Sequence, residues 1–194
     1  MILALINFLL LFRSLRREVI MYRVLLVKLT TFDHIILKEV ICHLRKLGFE
    51  VHYLNEVLHL NMFMFNWDRL QYDAEKIVNY LSERFSNFPY DSIIAIGHLN
   101  AYINNEKYVI GLHKEKIGIV FSYKYEDEKG SIDKFVSRVK KEIVHEIGHT
   151  LGLNDCSTPS CVMNKVNSVE DIDKKGYVFC PKCTALLLNI NNKG

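Results

Sequence analysis

Apolar residues recur along the chain at two different spacings, which predict alternating strands and helices. Short runs rich in valine, leucine and isoleucine, typical of buried strands, cover residues 22–29, 49–54 and 91–96. Between them, apolar residues at three- and four-residue steps predict helices over residues 32–47 and 67–85. This β-α-β opening favours an α/β fold with a mostly parallel sheet and helices packed against it.

After residue 101 the pattern changes to short pieces rich in β-branched and aromatic residues. Residues 108–112 and 117–123 are typical of strands, separated by a charged turn over residues 113–116. One of these strands is a candidate for an exposed edge of the sheet. His98 and His113, in or just before this region, lack the spacing of metal ligands, so we interpret them as surface or hydrogen-bonded residues.

One long amphipathic helix is predicted next, with Ser131 as a plausible N-cap residue. Its apolar stripe recurs at three- and four-residue steps through Ile132, Phe135, Val136, Val139, Ile143, Ile147 and Leu151. At about 100° per residue, His145 and His149 lie opposite the centre of this stripe. The same line continues through Lys134, Arg138 and Lys141. We therefore expect the two histidines to face away from the core, towards solvent or a cleft.

The end of this helix carries an H-E-x-x-H motif, which is typical of zinc sites. Because residues four apart share a helix face, His145 and His149 can bind one zinc ion, and Glu146 is placed to take a proton from its bound water. Gly152 ends the helix, and the backbone reversal can return Asp155 as a third ligand, with the fourth position open. The alternatives are an exposed histidine pair with an ordinary C-cap glycine, and an Asp155 that only orders the turn.

Four of the five cysteines follow this helix, as Cys156-x4-Cys161 and Cys180-x-x-Cys183. Two such pairs can surround a tetrahedral metal ion, and a four-thiolate zinc site suits a reducing cytoplasm and a tail with little core of its own. One alternative is two disulfides, which the absence of a credible secretion signal disfavours. The other is a redox C-x-x-C motif, which the absence of a βαβ context disfavours. Cys42 falls among apolar helix positions and is predicted to be a core thiol.

Length and composition indicate one domain. The chain has 194 residues, of which 49% are hydrophobic and 24% charged, so it can bury a full core, and three prolines leave no room for a low-complexity linker. A net charge of +3 is too small to indicate a nucleic-acid partner. We expect a single domain over residues 21–194, with an N-terminal subdomain over 21–152 and a C-terminal subdomain over 153–194 that contains the four cysteines.

Residues 2–12 form an apolar run that belongs to none of these elements. As a helix they reach about 16 Å, roughly half of the hydrocarbon core of a bilayer, so no stable membrane insertion is expected. The positive charges at Arg13, Arg16 and Arg17 follow the run, whereas a signal peptide carries them before it. We interpret residues 1–20 as an extension outside the fold. The alternative is a segment that touches a membrane or packs on the domain.

The order of these motifs resembles the archaemetzincins, which are metzincin zinc peptidases of archaea and some eukaryotes. The matching residues are His145-Glu146-x-x-His149-x-x-Gly152, Cys156, Cys161-x-Met163 and Cys180-x-x-Cys183. The resemblance covers about residues 21–183 in layout. It implies a metzincin-like twisted mixed sheet with packed helices, one catalytic zinc, one structural zinc held by the four cysteines, and Met163 as the Met-turn residue beneath the metal. It also implies that a strand near residues 108–123 forms the upper rim of the cleft and pairs with extended peptide.

Asp155 departs from the metzincin pattern, which usually has a third histidine at this position. An anionic ligand lowers the net charge of the site, so bound zinc should be a weaker Lewis acid and its water less acidic than in a three-histidine site.

The sequence therefore predicts a zinc metallopeptidase, in which zinc polarises the scissile carbonyl and Glu146 acts as general base and then as general acid. The expected cofactors are two zinc ions per chain, the expected partner is a peptide or protein substrate, and the expected state is a cytoplasmic monomer. The alternative is a zinc-stabilised module that binds protein or nucleic acid and has a vestigial active site. The intact Glu146 favours the enzyme, because a purely structural site needs no base.

Overall fold

A five-stranded sheet lies at the centre of the computed structural model, which describes residues 22–126 and 130–191. In chain order the elements are β1 (Arg23–Lys28), α1 (His34–Lys46), β2 (Glu50–Val57), β3 (Phe65–Asn66), β4 (Gln71–Asp73), α2 (Ala74–Phe85), β5 (Ser92–Gly97), β6 (Ala101–Tyr102), β7 (Gly111–Lys114), β8 (Ile117–Phe121), α3 (Ile132–Thr150), α4 (Val169–Lys174) and α5 (Pro181–Asn191), with short 3-10 helices at Met62–Met64 and Ser122–Tyr125. The strand order is β2-β1-β5-β8-β7. The first four strands are parallel, and β7 pairs antiparallel with β8 at the edge.

The strands alternate their side chains between two apolar layers, which explains why β1 and β5 are apolar at nearly every position. In β1, Val24 and Leu26 pack in the layer formed with α1 and α3, whereas Leu25 and Val27 pack in the layer formed with α2. Strand β5 divides in the same way. The predicted fold class, a mixed α/β sheet with packed helices and a cysteine-rich C-terminal part, is therefore confirmed.

The predicted helix over residues 67–85 is wrong in its first seven residues. Helix α2 begins only at Ala74, where the side chain of Asp73 accepts a hydrogen bond from the N–H of Lys76. The preceding residues form the β3–β4 hairpin instead, because Oδ1 of Asn66 accepts from the N–H groups of Asp68 and Arg69 and closes a turn. The apolar spacing continued through this hairpin, but the local polar side chains determined the backbone.

The turn between β7 and β8 is shorter than the predicted turn over residues 113–116. His113 and Lys114 belong to β7, and the chain reverses over Glu115 and Lys116, with Glu115 in the left-handed region at a φ of 53°. A two-residue connection with a left-handed first residue matches the twist of an antiparallel hairpin.

Helix α3 begins and ends where the sequence predicts. The side chain of Ser131 accepts from the N–H of Lys134, and Gly152 follows the helix at a φ of +90°. The prediction for the face opposite the apolar stripe is only partly correct, because Arg138 and Lys141 are buried rather than solvent-facing.

Helix α4 covers this basic face. The guanidinium of Arg138 donates from Nε and Nη2 to the two carboxylate oxygens of Asp173, at 2.8 and 2.7 Å. Nζ of Lys141 donates to the carbonyl oxygens of Ile172 and Asp173, which end the helix. One residue beyond α4, the fully buried Lys175 pairs with the buried Glu142 of α3, with 2.5 Å between Nζ and Oε1.

Two further expectations concern the N-terminus and Cys42. Residues 2–12 lie outside the described residues. Within residues 22–126 and 130–191, none of the helices combines the length and apolar character that a membrane span requires. Cys42 is exposed on α1, so the prediction of a core thiol is wrong. It lies between Ile41, which faces the core, and His43, and one residue of helical rotation is enough to turn it outward.

The buried pair of Lys175 and Glu142 gives a stability prediction. Lys175→Met leaves a buried carboxylate without its partner, so we expect a loss of about 3 kcal/mol in the free energy of unfolding. Burial already raises the pKa of Glu142 from 4.5 to about 7 in the intact pair. A raised folded-state pKa costs stability as pH rises from about 4.5 up to that pKa, so this loss levels off near pH 7 in the wild type. Lys175 lowers the pKa of Glu142 in the intact pair, so the variant should continue to lose stability as pH rises above 7.

Urea unfolding at fixed zinc concentration, between pH 5 and pH 8, measures this loss. The double variant Glu142→Leu/Lys175→Met should recover most of the stability, because no uncompensated charge remains. A single Lys175→Met variant that unfolds within about 0.5 kcal/mol of the wild type at pH 8 would contradict the prediction.

Candidate metal-binding and active site

Three side chains at the end of α3 converge on one point. Nε2 of His145 and Nε2 of His149 are 3.0 Å apart, and Oδ1 of Asp155 is 3.4 Å from the second nitrogen and 3.9 Å from the first. A tetrahedral zinc ion with bonds of about 2.1 Å places its ligand atoms roughly 3.4 Å apart. The donor set and its spacing therefore fit a zinc ion.

Backbone carbonyls orient both imidazoles. Nδ1 of His145 donates to the carbonyl of Val162 at 3.0 Å, and Nδ1 of His149 donates to the carbonyl of Leu153 at 2.9 Å. Because a carbonyl oxygen only accepts, each Nδ1 carries the proton and each Nε2 presents a lone pair. Burial lowers the pKa of His145 to about 2, with Lys175 and His149 adding to the effect, so this ring is neutral at physiological pH. Two lone pairs 3.0 Å apart repel each other, and a cation between them removes that repulsion.

The backbone reversal after α3 delivers the third side chain. With Gly152 at a φ of +90°, the N–H of Leu153 returns to the carbonyl of Gly148 at 2.9 Å. This geometry places the carbonyl of Leu153 against His149 and brings Asp155, which is half exposed, next to both histidines. The sequence predicted this reversal from Gly152, and the structure confirms that it occurs.

Glu146 lies beside this cluster with its carboxylate against β7. The side chain is 4% exposed, and among the described residues its Oε2 has no hydrogen-bond partner. A cleft of 780 Å³ opens in front of it, lined on one side by Ile103 and residues 105–113 and on the other by Glu142 and residues 165–167.

His113 belongs to this cleft, so its interpretation as an ordinary surface or hydrogen-bonded histidine was incomplete. Its side chain is 44% exposed, but its Nδ1 is 3.6 Å from Oε2 of Glu146 and its ring stacks on His149. The adjacent carboxylate of Glu146 raises the pKa of His113. His98, in contrast, lies near Ser122 and Glu126, away from the cluster.

Met163 lies under α3 in a turn that also supports His145. The N–H of Cys156 donates to the carbonyl of Met163, and the N–H of Asn164 donates to the carbonyl of Cys161, which closes the turn. Met163 is fully buried, and a Cβ on Gly148 would lie 2.3 Å from its sulfur. The absence of a side chain at Gly148, within the H-E-x-x-H motif, therefore allows the close approach of Met163.

The four cysteines of the tail form a second cluster. Sγ of Cys156 is 3.8 Å from Sγ of Cys180, and Sγ of Cys161 is 3.8 Å from Sγ of Cys183. Four zinc–sulfur bonds of about 2.3 Å in a tetrahedron require about 3.8 Å between sulfurs, whereas a disulfide requires about 2.05 Å. The cluster therefore fits a tetrahedral metal ion.

Backbone amides and burial act on these thiols in opposite directions. The N–H of Cys183 lowers the pKa of Cys180 to about 6, and hydrogen bonds from Thr158 lower the pKa of Cys156. Burial raises the pKa of Cys161 and of Cys183. Four thiolates at this spacing repel one another, so a dication is the charge that allows all four to ionise together.

Sequence reasoning missed Gly111, Gly148 and the participation of His113. The available signal for β7 was its alternation: Gly111 and His113 are two residues apart on a strand and share one face. Their approach to Glu146 depends on how β7 packs against α3, which spacing along the chain does not reveal.

Comparisons with known proteins give one consistent result. A model of peptidase family M54 matches residues 21–189. The archaemetzincin of Sulfolobus acidocaldarius is 44% identical over 177 residues, which cover 89% of this chain and 99% of that protein. The crystal structure of archaemetzincin from Methanopyrus kandleri matches with a TM-score of 0.77 at 26% identity, covering 93% of this chain and 100% of that chain. The structure from Archaeoglobus fulgidus, complexed with malonate, matches with a TM-score of 0.72 at 26% identity, covering 84% of this chain and 98% of that chain.

The contact between Gly148 and Met163 gives a second prediction. Gly148→Ala introduces a methyl group where the buried thioether lies, so we expect a loss of about 2 kcal/mol in unfolding free energy despite the better helix propensity of alanine. In a double-mutant cycle with Met163→Ala, the two changes should couple favourably by about 1 kcal/mol or more, because the smaller residue vacates the space. Additive effects in urea unfolding would show that the contact is not the cause.

Proposed function

Because this chain is a zinc metallopeptidase of peptidase family M54, we propose that it hydrolyses peptide bonds in the cleft between β7 and α3, with Glu146 as general base and then general acid. The observation that supports this proposal is that one ligand atom each from His145, His149 and Asp155 lie within 4.8 Å of one another, with Glu146 beside them. These three residues would hold the catalytic zinc. When bound there, zinc supplies a Lewis acid that polarises the scissile carbonyl and lowers the pKa of water.

Glu146 moves the proton in this proposal. Its carboxylate accepts a proton from the attacking water as the oxygen forms a bond to the carbonyl carbon, and it later delivers that proton to the amine as the carbon–nitrogen bond breaks. The buried Oε2 supports this assignment, because among the described residues it has no hydrogen bond to give up. Asp155 and the neutral imidazoles of His145 and His149 take no proton, since their proposed function is to bind metal.

Strand β7 is the proposed binding edge for substrate. It has a neighbour only on its β8 side within the described sheet, so the backbone groups of its other edge are available to an extended peptide. A peptide that adds as a further strand runs past Gly111 and His113, along the wall of the cleft that faces Glu146. Backbone pairing of this kind holds a peptide without regard to its side chains, which suits a peptidase that acts on extended segments.

Cys156, Cys161, Cys180 and Cys183 would hold the second zinc, which gives two zinc ions per chain. In this proposal the metal staples residues 153–194 as a C-terminal subdomain, and Met163 packs beneath the catalytic metal as the Met-turn residue. Four thiolates persist in a reducing compartment, so the cytoplasm is the proposed location. The expectation of a monomer stays a prediction.

Glu146→Gln tests the proposed chemistry. The amide has nearly the same shape but no basic oxygen, so we expect peptide hydrolysis to fall by at least 10²-fold while both zinc ions remain bound. The measurement is cleavage of a peptide library by the zinc-loaded protein, with metal content determined in parallel. Equal cleavage by wild type and variant would show that Glu146 is not the base, and no cleavage by either would favour a zinc-stabilised binding module over the enzyme.

Metal stoichiometry tests the assignment of Asp155. The wild type should bind two zinc ions, and a mild chelator should remove the histidine-bound ion first, because four thiolates hold zinc more tightly than two imidazoles and one carboxylate. Asp155→Ala should therefore retain one zinc ion, and Asp155→His should retain two. The two proteins are compared at a chelator concentration that leaves both zinc ions on the wild type. If Asp155→Ala also keeps two zinc ions at that concentration, Asp155 is not a ligand.

A further inference from the structure

The face of β7 that meets α3 carries only two side-chain positions, and both lie against Glu146. Gly111 and His113 are separated by one residue and share this face, whereas Leu112 packs in the opposite apolar layer with α2. The two carboxylate oxygens of Glu146 each meet one of them. This arrangement surrounds the carboxylate with groups from a strand that contributes no residue to either metal cluster.

Gly111 provides the space for one oxygen. A Cβ at this position would lie 2.1 Å from Oε1 of Glu146 and 2.9 Å from its Cδ. Real Cβ atoms do not approach other atoms so closely, so any residue larger than glycine would displace the carboxylate or the strand. The left-handed residues of the described chain do not include Gly111, so close approach is the reason for glycine here.

His113 lies beside the other oxygen. Its Nδ1 is 3.6 Å from Oε2 of Glu146, and its ring stacks on that of His149 with 4.4 Å between centroids and 13° between planes. The stacking fixes the plane of the His113 ring, and the ring plane determines where its Nδ1 points. Oε2 is buried without a hydrogen-bond partner among the described residues, so this nitrogen is the polar group available to stabilise its charge.

We propose that Gly111 and His113 are positioning residues for catalysis, which hold the carboxylate of Glu146 in one orientation toward the cleft. This inference rests on the proposed function, because it assumes that Glu146 transfers the proton. Glutamate has three rotatable side-chain bonds, and a base that reacts must lie within hydrogen-bond reach of the proton it takes. The absence of a side chain at Gly111 leaves space for Oε1, and the imidazole of His113 attracts Oε2. The stacking of His113 on His149 keeps the distance from the Glu146 carboxylate to the histidine cluster constant.

Kinetics of His113 variants test the inference in the full-length, zinc-loaded protein. His113→Ala should lower kcat by about 10- to 100-fold with KM within about twofold, because the base is misplaced while the binding edge of β7 is intact. His113→Asn should recover kcat to within about fivefold of the wild type, because the asparagine amide nitrogen occupies nearly the position of Nδ1.

The opposite edge of the sheet offers a matched control. His52 on β2 is also about half exposed, also lies 3.6 Å from a carboxylate, that of Glu50, and also contacts an aromatic ring. His52→Ala should leave kcat and KM unchanged. If His113→Ala matches His52→Ala in kcat, or if His113→Asn is no more active than His113→Ala, the inference is wrong.

Crystal structures provide a measurement that does not depend on activity. In zinc-loaded His113→Ala and Gly111→Ala proteins, the Glu146 carboxylate should rotate from its wild-type position while His145, His149 and Asp155 keep theirs. An unmoved carboxylate in both variants would overturn the inference even if kcat fell. If the wild type cleaves no peptide and matches Glu146→Gln, the proposed function fails, and the crystal structures still decide whether β7 positions Glu146.

Discussion

Two imidazole nitrogens with their lone pairs facing each other at 3.0 Å are the central constraint on this structure. A hydrogen bond from Nδ1 to a backbone carbonyl holds each ring in this orientation; the carbonyl belongs to Val162 for His145 and to Leu153 for His149. Neither carbonyl could be in place if the chain continued as a helix past residue 150. The reversal at Gly152 and the turn around Met163 therefore serve the same end: they bring acceptors behind the rings so that the opposite nitrogens converge.

The two metal clusters are joined by three consecutive residues. Cys161 belongs to the thiol cluster, the carbonyl of Val162 orients His145, and Met163 packs under Gly148. All three are almost fully buried, so their positions are coupled through dense packing. A metal ion bound by the cysteines would fix the segment that orients His145, although the four sulfurs themselves lie outside the histidine cluster. With that metal ion bound, folding of the tail and orientation of His145 would be one event.

The sequence identified those parts of the fold and site that depend on residues close together in the chain. The strands β1, β2, β5 and β8, the N-cap at Ser131, the turn at Gly152 and the grouping of the four cysteines follow from local spacing and backbone preference. Errors occurred where the tertiary structure decides. The sequence pattern places Arg138 and Lys141 on a solvent-facing side of the helix, but in the structure α4 covers them. The apolar spacing after Asn66 predicts a helix, but the side chain of Asn66 closes a hairpin turn there. The contact between His113 and Glu146 joins residues 33 positions apart, and no local pattern encodes it.

The short turn at Glu115 and Lys116 determines which side chains of β7 face the carboxylate of Glu146. Its left-handed first residue permits one tight connection between β7 and β8, and this connection sets the pairing of His113 with Gly118 and of Gly111 with Val120. A slip by one residue would turn every side chain of β7 to the opposite face. Leu112 and Lys114 would then face Glu146. The isobutyl group of Leu112 and the ammonium group of Lys114 would replace the open space at Gly111 and the imidazole of His113. Strand register, fixed at a solvent-exposed reversal, thus decides which groups surround the carboxylate.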